Sequence, residues 1–386
     1  MFTTYETARD HIYGLKRYNQ SPNFDNLKAA LSKLGNPHLG KRFVHITGTN
    51  GKGSVAAMME SILRAAGYRS GLFTSPHLVD YTERMQIDRV SITSEQLLTH
   101  ANRILSLGIP LTFFEVTTLI GLLHFHNEQC EWIILEAGMG GTHDPTNIIT
   151  PSVSIITNVD LDHTEVLGGT IAQIACDKAG IIKLNVPIVT AATGEAKRII
   201  FETAIRNNAM LVSAEPYDYD VGLLGEHQRI NAGIAYEAAR LLEIPNELIR
   251  SGIKSVQWPG RLDYIEHGLL VDCAHNPAGI RTLTTYLNTL QRPMIIIFGA
   301  LAHKNWQEMI RLLPPCMELI MTTADENKGV NALELTGIRP CTAKATPALA
   351  FAYARSIAGK DDLIVVCGSC YLTGAIMGHV CSNALT

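Results

Sequence analysis

A glycine-rich loop joins a strand pattern to a helix pattern between residues 43 and 67. The run FVHIT at 43–47 is apolar and β-branched, and the loop GTNGKGS follows it at 48–54. From Val55 onwards apolar residues recur at the i, i+3, i+4, i+7, i+8 spacing of an amphipathic helix, which Gly67 is expected to end. The unit predicts a buried strand that delivers a loop to the start of a helix.

The same alternation of strand and helix patterns continues along the chain. After 43–47, β-rich runs occur at 70–74, 132–136, 153–157 and 187–191. Strands that alternate with helices predict a mainly parallel sheet covered by helices on both faces. A long helix pattern near 227–242 is expected to close this part of the chain.

A second series of strand patterns begins after QWPGRLD at 257–263. Its β-rich runs lie at 269–272, 294–298, 317–323 and 363–367. The sequence WPG at 258–260 interrupts the pattern and predicts a linker at about 252–261. We therefore expect two α/β domains, a larger one at 1–255 and a smaller one at 262–386.

Composition excludes several partners. The 386 residues carry a net charge of −4 without a basic block, which argues against nucleic acid. The N-terminus is polar and no apolar run approaches about 18 residues, so we expect a cytoplasmic protein without a membrane partner, and a monomer by default. The eight cysteines are expected to be reduced. Cys367 and Cys370 form a CxxC pair, for which two buried thiols at a strand end are favoured over a redox or metal role.

The glycine-rich loop has the chemistry of a phosphate site. Glycines let successive backbone N–H groups face one concavity, and the helix N-terminus adds partial positive charge. Lys52 adds a mobile cation and Ser54 a hydroxyl suited to phosphate or Mg²⁺. The spacing departs from GxxxxGK[ST], because no glycine stands four residues before Gly51 and Gly53 separates the lysine from the serine. The loop predicts binding of a nucleoside triphosphate.

Polar side chains follow three further strand patterns. Ser75 comes after one, Glu136 ends another, and Asp160, Asp162 and His163 follow a third. Ligands of parallel sheets collect outside the carboxyl ends of the strands. Because Mg²⁺ takes oxygen ligands and shares phosphate oxygens with its substrate, Glu136 is the best metal candidate. His163 alone is more typical of an exposed or helix-capping residue.

With these motifs assembled, the chain resembles the folylpolyglutamate synthase/dihydrofolate synthase family of the Mur ligase superfamily. The matching segments are HITGTNGKGS, TSPHLVDYTERMQI, LTFFEVTTL, ILEAGMGG, DPTN, DHTEVLG, DKAGIIK, GEHQRINA, WPGRLD, VDCAHNP and GSCYL. The resemblance implies a larger N-terminal P-loop NTPase-like domain with a mainly parallel sheet and a smaller Rossmann-like α/β C-terminal domain. It also implies ATP-dependent addition of L-glutamate to the carboxylate of dihydropteroate or tetrahydrofolate, through an acyl phosphate.

The resemblance also implies the site residues. ATP would be held by Thr49, Asn50, Gly51, Lys52, Gly53, Ser54, Asn231, Arg261 and Asp272. Two Mg²⁺ ions would be bound by Ser75, Glu136, His163 and Lys178, and Lys178 matches a lysine that relatives carry as a carbamate. The pterin substrate would contact Thr112, Phe113, Phe114, Glu115, His143, Asp144 and Pro145, with His275 on the glutamate side. The implied catalytic set is Lys52, Glu136, His163, Lys178 and Arg261.

Some positions depart from the family pattern, and two other functions compete. AHKN at 302–305 replaces an Asp-Lys-Asp run, GGTHDPTN at 140–147 lacks an arginine, and Asp177 stands where a glutamate is usual. One alternative is a cell-wall Mur ligase, disfavoured because the loop at residue 48 leaves no room before it for a UDP-sugar domain. The other is a P-loop switch that joins nothing, disfavoured by Arg261, Asp272 and His275 on the second domain.

Overall fold

The computed structural model describes residues 1–16 and 24–384, with side chains as far as residue 381. It contains two compact units. The larger comprises Met1–Pro76, Tyr81–Gly222 and Gln228–Val256. The smaller comprises Gln257–Thr386 together with two short segments, His77–Asp80 and Leu223–His227. Each unit is described by itself.

The larger unit is built on an eight-stranded sheet. Its strands are β1 (Arg42–Thr47), β2 (Ser70–Phe73), β3 (Met85–Ile87), β4 (Val90–Ser91), β5 (Trp132–Glu136), β6 (Val153–Ile156), β7 (Ile188–Thr190) and β8 (Leu211–Ser213). The order across the sheet is β4-β3-β2-β5-β1-β6-β7-β8. From β2 to β8 neighbouring strands are parallel, whereas β3 and β4 run antiparallel. The carboxyl ends of β2, β5, β1 and β6 therefore meet at one edge.

Helices of the larger unit cover this sheet. They are α1 (Tyr5–Gly14), α2 (Asp25–Lys33), α3 (Lys52–Ala65), α4 (Ser94–Leu105), α5 (Phe113–Asn127), α6 (Thr164–Leu167), α7 (Ile171–Ala179), α8 (Gly194–Arg206), α9 (His227–Leu241) and α10 (Asn246–Ser255). Short 3-10 helices lie at Tyr81–Arg84 and Pro145–Ile148. One apolar cluster joins α1, α2, α4 and α5 to the β2–β5 side, and another packs α7 and α8 against β6 and β7.

Helix α3, which follows the glycine-rich loop, is almost wholly buried, since all residues from Gly53 to Leu63 are buried. On one side it crosses α10 closely. A Cβ at Gly252 would stand 2.5 Å from the Cα of Ile62, and the Ser61 hydroxyl donates to the Gly252 carbonyl over 2.8 Å. Because a side chain at residue 252 has no room, the crossing fixes the position of α3 and of the loop before it.

The smaller unit has a six-stranded sheet of its own. Its strands are β9 (Asp263–Glu266), β10 (Leu269–Val271), β11 (Met294–Phe298), β12 (Glu318–Thr322), β13 (Thr342–Lys344) and β14 (Leu363–Cys367). The order is β13-β12-β11-β14-β10-β9, parallel except for β9. Its helices are α11 (Pro277–Thr289), α12 (Trp306–Leu312), α13 (Pro347–Ile357) and α14 (Cys370–Ala384), with a 3-10 helix at Glu334–Gly337. Apolar clusters lie on both faces.

The predicted α/β class with two mainly parallel sheets is confirmed, but several details were wrong. Helix α9 does not close the first part, because α10 follows it and runs through residue 255, inside the predicted linker. The antiparallel strands β3 and β4, and the edge strands β8, β9 and β13, were not predicted. All five have two to four residues, too few for an alternating pattern to stand out. In residues 1–16 and 24–384, no helix is both long and apolar enough to cross a membrane.

Candidate active site

The glycine-rich loop leaves the centre of the larger sheet. Strand β1 lies between β5 and β6, and the loop 48–51 passes from its carboxyl end into α3. Gly51 stands before α3 with φ of 83°, a left-handed conformation that glycine adopts without strain. The N-terminal amides of α3 thus open onto the edge where β2, β5 and β6 also end. The predicted strand–loop–helix unit is confirmed.

Side chains at the end of β6 hold the loop in place. The Asn50 amide donates to Asn158 Oδ1 over 2.9 Å, and the Thr157 hydroxyl donates to the Asn50 carbonyl over 2.6 Å. The Asp160 amide donates to Thr49 Oγ1 over 3.0 Å. Thr157 and Asn158 were not assigned from the sequence, although Thr157 ends a predicted strand and Asn158 directly follows it. Their role is to fix the loop's backbone before any ligand binds.

Two lysines converge on the first residue of the loop. The Lys52 ammonium donates to the carbonyls of Gly48 and Thr49 at 3.1 and 3.2 Å, and Lys178 donates to the same Gly48 carbonyl at 2.9 Å. Lys178 is only 3% exposed. Burial, and then the charge of Lys52, lower the pKa of Lys178 to about 7. The arrangement concentrates positive charge where the loop would receive an anion.

Asn231 lies against the loop from α9. A Cβ at Gly51 would stand 2.4 Å from Asn231 Oδ1, so the close approach requires glycine. Asn231 Nδ2 donates to Gln228 Oε1 over 2.9 Å, and Gln228 Nε2 donates to the Ser54 hydroxyl over 3.3 Å. The structure therefore brings Asn231 and Ser54 together as part of one hydrogen-bonded chain. Gln228, which links them, was not assigned from the sequence.

Glu136 and Ser75 meet one strand away from the loop. Glu136 ends β5 in register with Ile46 of β1 and is 3% exposed. The Ser75 amide donates to Glu136 Oε2 over 3.1 Å. A carboxylate and a serine at a strand end beside a phosphate loop are oxygen donors of the kind that Mg²⁺ takes when phosphates complete its coordination. The donor set thus fits magnesium.

His163 lies at the end of the loop that follows β6, directly before α6. Its backbone is left-handed with φ of 51°, its amide donates to Asp162 Oδ1 over 2.9 Å, and its Nε2 lies 4.0 Å from Asp162 Oδ2. Over residues 1–16 and 24–384, no three His, Cys, Asp or Glu side chains gather in a way that could hold a metal ion. A metal at this edge would therefore depend on phosphate oxygens, and the assignment of His163 stays a prediction.

Asp177, near the end of α7, is hydrogen-bonded to a second glycine-rich loop. This loop, residues 138–142, follows the end of β5 at Glu136. Asp177 Oδ1 accepts from the Gly141 amide over 2.7 Å, and the Asp177 carbonyl accepts from the amide and the hydroxyl of Thr142 over 3.0 and 2.8 Å. A Cβ at Gly140 would stand 2.2 Å from Asp177 Oδ1. The last turn of α7 thus contacts the second glycine loop through Asp177 and the phosphate loop through Lys178.

The segment at 112–115 forms the start of α5. Thr112 caps the helix, and Glu115 Oε2 accepts from the Thr112 amide and hydroxyl at 2.8 and 2.9 Å. Phe113 and Phe114 both pack against the apolar core, and Phe114 also lies against Gly138, where a Cβ would be 2.6 Å from its ring. Of the four residues predicted to contact substrate, Phe114 reaches the second glycine loop. Thr112 and Glu115 satisfy each other in a capping box.

The segment at 143–145 begins a 3-10 helix. Asp144 is buried and accepts from the amides of Met139 and Thr146 at 3.0 and 2.9 Å, while burial raises its pKa. His143 is exposed and Pro145 is half-buried. Asp144 therefore stabilises the second glycine loop, and the proposed substrate contacts of all three residues stay predictions.

Arg261, Asp272 and His275 belong to the smaller unit. Asp272 is buried, and its two carboxylate oxygens accept from the amides of Leu262 and Ala274 at 2.9 and 2.8 Å. Burial raises the pKa of Asp272 and the charge of Arg261 opposes the shift. His275 Nδ1 lies 2.9 Å from the Cys273 carbonyl. The assignment of Arg261 and Asp272 to the nucleotide and of His275 to glutamate stays a prediction.

Comparison with known families defines the class of this fold and site. Residues 46–192 match the Mur ligase middle domain and residues 260–370 match the glutamate ligase domain of Mur ligases. These two matched segments contain the phosphate loop, Glu136 and Lys178 in one, and Arg261, Asp272 and His275 in the other. The two-domain organisation is thus that of an ATP-dependent Mur-type ligase.

Individual relatives narrow the class further. The chain is 32% identical to the dihydrofolate synthase/folylpolyglutamate synthase of Bacillus subtilis over 97% of its own length and 99% of the relative's. It is 33% identical to a probable bifunctional folylpolyglutamate synthase/dihydropteroate synthase of Haloferax volcanii, of which it spans 49%. Its structure matches E. coli FolC in complex with DHPP and ADP with a TM-score of 0.91, 26% identity and 99% of each chain covered. The chain belongs to the folylpolyglutamate synthase/dihydrofolate synthase family of the Mur ligases.

Proposed function

We propose that the protein is an ATP-dependent ligase that adds L-glutamate to the carboxylate of dihydropteroate, of a tetrahydrofolate, or of both. A relative that covers 97% of the chain is named for both activities, and another that covers 78% is named a folylpolyglutamate synthase. Solved structures that the chain resembles contain ADP with DHPP, or AMPPCP with folate. These names support a nucleotide and a pterin-linked acid as substrates for this chain.

The convergence of Lys52 and Lys178 on the Gly48 carbonyl carries the proposal. Two ammonium groups that share one acceptor repel each other, and the buried one loses water as well. An anion in the loop would relieve that repulsion. The N-terminal amides of α3 and the left-handed turn at Gly51 favour a phosphate there.

Magnesium fits this site with Glu136 and Ser75 as the protein donors. The ion would supply charge neutralisation at the phosphates, and the proposed second ion would use His163. Glu136 is held by the Ser75 amide and lies beside β1, so its carboxylate is oriented before the nucleotide binds. Lys178, with a pKa of about 7, is partly neutral near pH 7, the form in which an amine reacts with CO₂. This supports the proposed carbamate at Lys178, which would replace a cation by an oxygen donor.

The chemistry follows from the need to activate a carboxylate. The acceptor carboxylate attacks the γ-phosphorus of ATP and gives an acyl phosphate and ADP; the glutamate amine then displaces phosphate to form the amide. Lys52 stabilises the transferring phosphoryl group, and Arg261, Asp272, Asn231 and the loop residues 49–54 hold the nucleotide. Phe114 and its neighbours at 112–115 and 143–145, with His275, are the proposed acceptor and glutamate contacts.

ADP release under four conditions tests the proposal. The purified protein would receive ATP and Mg²⁺ alone, with glutamate, with the pterin acid, and with both. ADP and a glutamylated product are expected in equal amounts only when both are present. Release that is independent of acceptor and glutamate would instead support a nucleotide switch. A pterin acid labelled with ¹⁸O in its carboxylate should transfer the label to phosphate, and unlabelled phosphate would exclude the acyl phosphate.

A further inference from the structure

One face of strand β1 holds the second glycine loop and the 3-10 helix that follows it. His45 and Thr47 alternate along β1, so their side chains point to the same face of the sheet. The Thr47 hydroxyl donates to the Gly140 carbonyl, and His45 Nε2 lies 2.8 Å from Thr146 Oγ1. The side chains of all three polar residues are buried. Two neighbouring positions of one strand therefore contact this part of the larger unit at two separate places.

Thr146 connects His45 to a buried carboxylate. The Thr146 hydroxyl donates to Asp144 Oδ1 over 2.5 Å, and the Thr146 amide donates to the same oxygen over 2.9 Å. The Met139 amide donates to Asp144 Oδ2 over 3.0 Å. Burial raises the pKa of Asp144, and these hydrogen bonds oppose that shift. Because three donors converge on one carboxylate, the surroundings of Asp144 are those that its ionised form requires.

The number of available protons sets the direction of the hydrogen bond between His45 and Thr146. The Thr146 hydroxyl has one proton, which it donates to Asp144, so its oxygen can only accept from His45. Burial, and then the charge of Lys183, lower the pKa of His45 to about 3, so the ring is neutral and its single proton lies on Nε2. Within the part of the chain that the structure describes, His45 Nδ1 has no hydrogen-bond partner. A buried acceptor without a partner is less rare than a buried N–H without one, which agrees with this tautomer.

This chain of hydrogen bonds ends at the loop beside the proposed acceptor contacts. Asp144 Oδ2 accepts from the Met139 amide, and a Cβ at the neighbouring Gly138 would stand 2.6 Å from the Phe114 ring. The phosphate loop is held separately, by side chains at the end of β6. Loss of the His45 donor should therefore disturb the second glycine loop and the packing of Phe114 more than it disturbs the phosphate loop.

We propose that His45 is a positioning residue for the acceptor side of the site, acting through Thr146 and Asp144. The His45 Nε2–H orients the Thr146 hydroxyl, the hydroxyl orients the Asp144 carboxylate, and the carboxylate holds the backbone at Met139. Binding of the pterin acid then depends on His45, whereas binding of ATP depends on the phosphate loop. This effect on the acceptor rests on the proposed function, but the chain of hydrogen bonds and its direction do not.

Nitrogen NMR tests the direction of the chain without any activity assay. The protein would be labelled with ¹⁵N in its histidine rings and measured at about pH 7, since a protonated and a bare ring nitrogen differ widely in chemical shift. The signals of His45 are those missing from His45→Gln, and Thr146→Val, which removes the hydroxyl, should shift the same signals. A proton on Nε2 and a bare Nδ1 are expected. A proton on Nδ1, or on both nitrogens, would overturn the proposal.

Steady-state kinetics test the effect on the acceptor. His45→Leu removes the ring donor, whereas His45→Gln is the matched control, because its amide N–H can take the place of Nε2–H. In His45→Leu the KM of the pterin acid should rise at least roughly tenfold while the KM of ATP changes by less than about threefold. In His45→Gln both KM values should stay within about threefold of the wild type. His45→Leu should add little to the effect of Thr146→Val, because the acceptor of the His45 proton is then already absent.

Hydrogen exchange separates a failure of this inference from a failure of the proposed function. In folded His45→Leu the amides of residues 138–147 should exchange faster than in the wild type, and those of residues 48–54 should not. Should His45→Leu not fold, Thr146→Val takes its place in both measurements with the same expected results. Equal rises in the two KM values, an unchanged KM of the pterin acid, or unchanged exchange at 138–147 would each refute the positioning role. Absence of ligation by the wild type would refute the proposed function, while NMR and exchange would still decide whether His45 positions the loop.

Discussion

Gly48 is the position where a single methyl group should damage the phosphate loop most directly. Its φ is 152°, and a Cβ there would stand 1.8 Å from the Thr157 hydroxyl oxygen. A non-glycine residue in such a conformation costs about 1–3 kcal/mol. Moving Thr157 away sacrifices its hydrogen bond to the Asn50 carbonyl, about 1 kcal/mol. Both costs apply to the loop conformation that binds the phosphates. Gly48→Ala should therefore weaken ATP binding by about 2–4 kcal/mol, or roughly 30- to 900-fold.

Titration calorimetry with an ATP analogue and Mg²⁺ would measure the loss, with circular dichroism to verify that the variant is folded. Gly169→Ala is the matched control, because a Cβ there meets nothing within 4 Å. Adding Thr157→Ala to Gly48→Ala removes the colliding oxygen and should recover part of the affinity, beyond the sum of the single effects. If folded Gly48→Ala binds the analogue within threefold of the wild type, the loop is not built as described.

Three further substitutions address the metal, the pH dependence and the scaffold. Glu136→Gln keeps the side chain's size but removes its charge, so the Mg²⁺ concentration for half-maximal ligation should rise at least roughly tenfold; an unchanged Mg²⁺ titration would contradict the metal role. Burial lowers the pKa of His45 to about 3 from 6.5, so wild-type stability is lost as pH falls through this window. His45→Gln should remove about 2 kcal/mol of the loss between pH 7 and 5, as urea denaturation at both pH values would measure. Gly252→Ala would press on the Ile62 backbone and should lower the free energy of unfolding by about 1–3 kcal/mol, and an unchanged urea midpoint would exclude that collision.

The central strands could be predicted because their pattern is local. Runs such as FVHIT and WIILE are mainly apolar, and all their residues are buried, as expected for parallel strands covered on both faces. The edge strands could not, because a three-residue strand such as β8 carries no period and is defined by pairing with β7. Helix α10 runs into the linker predicted from WPG at 258–260, and its residues 252–255 lie there. Its Gly252 is required by the close crossing with α3, a tertiary reason that the local sequence does not contain.

The residues of the candidate site also differ in how far the sequence indicates their role. The phosphate loop and Glu136 are visible in the sequence, since glycines and a strand-end carboxylate have few other uses in that order. Thr112 and Glu115 show the opposite case, because a Thr-x-x-Glu spacing before an apolar helix also predicts a capping box, and the structure contains one. A substrate contact inferred for these two residues has to come from atoms that the cap leaves unused.

Lys178 shows most clearly what sequence alone cannot supply. In DKAGIIK its neighbours are those of an exposed helix lysine, yet it is 3% exposed and its ammonium reaches the Gly48 carbonyl, 130 positions away. The reason is the placement of α7: Asp177 binds the second glycine loop, and this holds the next residue against the first loop. Burial of a cation there is unfavourable, and this is why the pKa of Lys178 is lowered. While Lys178 is protonated, a phosphate in the loop would neutralise the charge that destabilises the empty loop. The proposed carbamate would instead replace that cation by an oxygen donor for magnesium.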